Sequence, residues 1–70
     1  MHMQPVASSD LSSVGYDAQT GTLYISFHSG STYAYDHVPS IVYNGLMSAP
    51  SHGKYFHAYI KGRYSYRRIG

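Results

Sequence analysis

The sequence predicts an α+β domain: a three-stranded antiparallel β-meander followed by two short α-helices packed on one face. Three observations predict it. Strict alternation in Leu23-Tyr24-Ile25-Ser26-Phe27 and in Thr32-Tyr33-Ala34-Tyr35-Asp36 marks two strands, with His28-Ser29-Gly30 turning between them. From Val38-Pro39 onward the apolar period lengthens to that of a helix. Seventy residues without a cysteine hold one domain, and a chain this short buries only about 60% of the surface its unfolded form exposes.

The hairpin sets the register. A three-residue loop with Gly30 in the left-handed position pairs Ile25 with Tyr33, so that Tyr33 and Tyr35 face inward beside Leu23, Ile25 and Phe27 while Asp36 faces out. A two-residue Ser29-Gly30 loop would bury Asp36, which has no evident partner to offset its desolvation. The longer loop is therefore preferred, and Tyr33 and Tyr35 are expected to be structural.

Taken in order, Met1, His2, Met3 and Gln4 carry no pattern and are expected to be a disordered terminus or a remnant of expression, leaving 5–69 as the domain. Ser8-Ser9-Asp10 suits local bonds from side chain to backbone. Leu11 to Asp17 forms the first strand, with Val14 and Tyr16 on one face and Gly15 permitting a bulge or a close neighbour. Asp17 to Gly21 turns the chain. Val38-Pro39 ends the sheet and opens a helix whose inner stripe is Val42, Gly45, Leu46 and Ala49, flanked by Tyr43 and Met47. Glycine costs roughly 1 kcal/mol relative to alanine inside a helix, so Gly45 predicts a ring or backbone packed close against it.

Ala49-Pro50 stops that helix, and Ser51 caps the next, about Ser51 to Lys61. Tyr55, Phe56, Tyr59 and Ile60 share its packing face; Lys54, His57 and Lys61 share the opposite one. Gly62 follows as a left-handed residue. Arg63 to Arg68 alternates, with Tyr64 and Tyr66 on one side, and is expected to lie back on the domain as an extended segment. The expected core is Val14, Tyr16, Leu23, Ile25, Phe27, Tyr33, Tyr35, Val42, Leu46, Phe56 and Ile60.

Charge carries the functional signal. All three acids, Asp10, Asp17 and Asp36, precede Pro50, and all five cations, Lys54, Lys61, Arg63, Arg67 and Arg68, follow it, so a formal charge of +2 conceals a separation of sign. Cations neutralise phosphates and exposed rings stack on unpaired bases. Lys54, His57, Lys61, Arg63, Tyr64, Tyr66, Arg67 and Arg68 are therefore the candidate nucleic-acid-binding residues, with RNA the first ligand. The competing explanation is a solvated positive face with its tyrosines in a crevice. The alternative function is a protein-interaction module using an exposed strand edge or aromatic patch.

Other classes find little support. No apolar run approaches the roughly 20 residues that span a bilayer, and no signal peptide opens the chain, so a cytoplasmic monomer without membrane contact is expected. His28 and His37 fall at opposite ends of the hairpin, His52 and His57 diverge on a helix, and no acid stands at ligand spacing, so neither metal nor cofactor is expected. Ser51-His52-Gly53-Lys54 fits Ser-x-x-Lys without its companion motifs, and Gly53-Lys54 lacks the rest of a phosphate loop. No enzyme is expected.

Gly15-Tyr16-Asp17, Leu23-x-Ile25-x-Phe27, Ser29-Gly30, Tyr33-Ala34-Tyr35, Val38-Pro39, Tyr43, Leu46-Met47, Ala49-Pro50-Ser51, Gly53-Lys54-Tyr55-Phe56, Ile60 and Arg63-Tyr64 together resemble the KTSC domain family, over roughly Val6 to Ile69. Its hallmark is a central Tyr-x-Tyr. The resemblance implies a bacterial or phage domain that stands alone or ends some lysyl-tRNA synthetases, with RNA binding as its suggested role. It brings no catalytic or binding residues with it.

Overall fold

The computed structural model describes residues 2–70; Met1, assigned above to the terminus, lies outside the described residues. One antiparallel sheet runs in the order β1 (Gln4–Pro5), β2 (Leu11–Asp17), β3 (Thr22–Phe27), β4 (Thr32–Tyr35), β5 (Tyr66–Arg68). Two helices, α1 (Ser40–Ser48) and α2 (His52–Tyr59), supply Leu46 and Phe56 to the core that the inner face of the sheet builds with Val14, Leu23, Ile25 and Tyr35. The α+β class with two short helices is as expected.

The sheet itself has five strands, not the three of a simple meander. The extended tail does more than lie back: it pairs with β4 as β5, placing Arg68 opposite Tyr33 and Tyr66 opposite Tyr35, and the Asp36 N–H donates to the Ser65 carbonyl at 2.9 Å. Its alternation meets β4, which would otherwise be an open edge of unpaired backbone groups. At the other edge Gln4 stands opposite Val14 and Pro5 opposite Ser13, a position where proline need donate no ladder bond.

The central hairpin has the expected register, Ile25 opposite Tyr33. The Phe27 N–H donates to the Ser31 carbonyl and the Gly30 N–H to that of Phe27, both at 2.9 Å, with Gly30 at φ +99°. Asp36 has the partner that the sequence did not reveal. Arg67 Nη1 donates to both of its carboxylate oxygens, at 2.7 and 2.8 Å.

The bulge falls early in β2, not at Gly15: the register shifts between Leu11 and Ser13, so Leu11 and Val14, three residues apart, both point into the core. Val38 is buried as well. Its N–H donates to the Gly21 carbonyl at 2.8 Å, and its own carbonyl accepts from the Tyr16 hydroxyl at 2.6 Å, while the Tyr16 ring stacks on Tyr43 at 4.7 Å. That clasp ties the end of β2 to the start of α1. Ser51 caps α2 by accepting from the Lys54 N–H at 3.2 Å, and Gly62 takes the left-handed conformation at φ +79°. Tyr59 departs from the packing face expected of it, remaining 54% exposed against the Tyr55 ring.

Candidate functional site

Burial falls away across the sheet. Leu23 and Ile25 on β3 are fully covered, Tyr35 on β4 is 5% exposed, Tyr33 is half-buried, and Tyr66 on β5 is 60% exposed. Helix α2 ends at Tyr59 and Gly62 turns the chain, leaving a groove of about 440 Å³ between the end of the helix and β4–β5. Because residues i and i+2 share a strand face, Tyr33, Tyr35, Tyr66 and Arg68 lie on the same side as the core.

Three phenol rings make the floor of this groove. The Tyr66 centroid is 5.7 Å from both Tyr33 and Tyr35, which are 6.5 Å from each other. Phe27 and Phe56 wall it, meeting edge to face at 5.4 Å, and each also sets its edge against a tyrosine of β4. Separations of this kind are where the ring quadrupoles attract. Ser29 and Ser31 from the hairpin loop and His57, Lys61 and Gly62 complete the rim.

Burial first, and then the neighbouring Tyr33 and Tyr66 phenols, push the Tyr35 phenol up to about 12. Its hydroxyl is thus a permanent donor near neutral pH. No buried side-chain oxygen among the described residues lacks a partner, and Tyr35 lines the groove, so this hydroxyl opens into it.

The candidate residues divide by position. His57, Lys61 and Tyr66 meet in the groove, with Arg68 on the same sheet face, where its Nε donates to the Gly70 carbonyl at 2.9 Å. Lys54 lies on the first turn of α2, Arg63 Nε donates to the Ala58 carbonyl at 3.2 Å, and Tyr64 packs against the core. Arg67 occupies the outer face, paired with Asp36. His57 Nε2 stands 3.5 Å from Asp10 Oδ2. These are the close contacts of a carboxylate with a basic side chain among the described residues, so Lys54, Lys61, Arg63 and Arg68 have no carboxylate within 4.0 Å.

Sequence reasoning missed the groove role of Tyr33 and Tyr35. They are structural and also its floor; the pairing of Tyr35 with Tyr66 was the signal, legible only once the tail is threaded as a strand. Two histidines serve the backbone: His28 Nε2 donates to the Ser8 carbonyl at 2.9 Å and His52 Nδ1 to that of Leu46 at 2.8 Å. No group of three metal-ligating side chains gathers among the described residues.

The model of the KTSC domain matches residues 7–64. The chain belongs to the KTSC domain family. A crystal structure of a KTSC domain protein from Yersinia pestis superposes with a TM-score of 0.94 at 43% identity, covering 99% of this chain and 97% of that one. A protein from Tsukamurella paurometabola is 39% identical over 62 residues, 89% of this chain and 92% of its own length. The lysine–tRNA ligase of Trichormus variabilis is 46% identical over 54 residues, 77% of this chain; the chain spans only 10% of that ligase. The family match ends at Tyr64, and Tyr66, which lines the groove, lies two residues beyond it.

Proposed function

We propose that this KTSC domain is a non-enzymatic module that binds single-stranded nucleic acid, RNA first, with bases stacked in the tyrosine-floored groove and phosphates met at its cationic rim. One observation carries the reading: Tyr33, Tyr35 and Tyr66 line a single concavity beside Lys61, which has no carboxylate partner. Every base has a face that can stack on such rings, and a lysine at the rim meets a phosphate without first breaking an ion pair. Matching segments occur in lysine–tRNA ligases, proteins named for a tRNA substrate, which supports the same ligand class here.

The test is a titration of fluorescein-labelled single-stranded RNA at several salt concentrations, followed by anisotropy. Lys61 and Arg68 predict a log–log slope of magnitude about 1.4, from about 0.7 per phosphate. Tyr66→Ala weakens binding about tenfold at unchanged slope, because it removes one stacking surface and no charge. Lys61→Ala lowers the slope by about 0.7. Absence of binding at low salt contradicts the proposal and leaves a protein partner at the β5 edge or the aromatic patch as the remaining reading.

A further inference from the structure

His57 borders three cavities in turn. The first is the aromatic groove. A second, of about 280 Å³, shares Phe27, Ser29 and His57 with it and adds Asp10. A third, of about 360 Å³, shares Asp10 and His57 with the second and runs on to Lys54. Shared lining residues set these three cavities in a row, here called the channel, along the exposed side of α2. Lys61 stands near one end and Lys54 at the other, neither with a carboxylate partner. Lys54 lies on the first turn of α2 and Lys61 two residues beyond its last, so a span of about 10 Å separates them in the helix direction. Asp10, held against His57, is the one carboxylate on the channel wall among the described residues.

We infer that the whole channel, and not the aromatic groove alone, seats the strand. This rests on the nucleic-acid reading and extends it. Bases occupy the tyrosine end, the backbone passes Asp10 and His57, and Lys54 neutralises a phosphate at the far end. A span of about 10 Å corresponds to about three stacked nucleotides at 3.4 Å each. Small single-strand sites begin at about 4 nucleotides, which agrees. Asp10 then opposes the passing phosphates, so its charge tunes binding of long strands and leaves short ones untouched.

A length series of oligouridylates from two to eight nucleotides tests this, using the whole chain and its Asp10→Asn and Lys54→Ala variants. Both altered side chains are exposed or half-exposed, and thermal melts confirm that each variant is folded before titration. Affinity is expected to climb up to about four nucleotides and then level off. Asp10→Asn is expected to tighten the tetranucleotide several-fold and Lys54→Ala to weaken it several-fold, with the dinucleotide unchanged by either. A dinucleotide that binds as tightly as the tetranucleotide, with both variants neutral, overturns the channel while leaving stacking in the groove intact. No binding at any length at low salt overturns both.

Discussion

The Tyr55 ring crosses Gly45 so closely that a Cβ built on the glycine would stand 2.7 Å from Tyr55 Cζ, and nearer still to the hydroxyl oxygen. Gly45 serves by having no side chain, since its backbone is ordinary helix. It lets α2 lay a tyrosine directly across α1. Gly45→Ala gains about 1 kcal/mol of helix propensity and forfeits more, because overpacking typically costs about 1 to 3 kcal/mol on top of the displaced ring. Urea denaturation should find the variant destabilised. In a Tyr55→Leu background the same change should become neutral or favourable, a coupling that isolates the contact.

Tyr35 gives two separable outcomes. Tyr35→Ala removes a buried ring at the junction of Phe56, Tyr33 and Tyr66 and should cost about 3 to 5 kcal/mol, enough to unfold a domain of this size. Tyr35→Phe keeps the ring and should fold. Its pH response is the sharper test. In the folded chain the phenol holds its proton to about 12, whereas unfolded it releases it near 10, so the folded state binds more protons between those values and stability falls as pH rises through them. Chemical denaturation at pH 9 and pH 11 should show a loss of at most about 1 kcal/mol in the parent that is largely absent in Tyr35→Phe.

Arg67 and Lys61 sit on opposite faces of the domain and should separate in function. Arg67 spends its guanidinium on Asp36 across the outer face of the sheet, and an exposed pair of this kind contributes little to stability. Arg67→Ala should leave the melting midpoint nearly unchanged and reduce affinity for single-stranded RNA less than Lys61→Ala does. Equal losses from the two variants would show that the interface is not confined to the groove.

What the sequence made legible follows from where its signals are local. The register of the hairpin was readable because Gly30 and a carboxylate at Asp36 jointly exclude the other loop length. The tight approach at Gly45 was readable because a glycine inside a helix carries a known cost. Leu11 was not: a bulge between Leu11 and Ser13 reverses the alternation, and nothing in Leu11-Ser12-Ser13 announces it. The tail's role as β5 was half legible, since Tyr64-Ser65-Tyr66-Arg67 alternates but its partner strand lies some thirty residues back. The groove was out of reach for a further reason. It exists because α2 ends before it can cover β4 and β5, and that mismatch between helix length and sheet width is a property of the assembled fold.

The most direct test of the groove as the binding surface is a two-dimensional amide NMR titration of the chain with short single-stranded RNA. The account predicts that the largest shifts gather at Tyr33, Tyr35, His57, Lys61 and Tyr66. Shifts concentrated instead at Tyr24, Ser26 and Arg67 on the outer face, or none at saturating RNA and low salt, would contradict it.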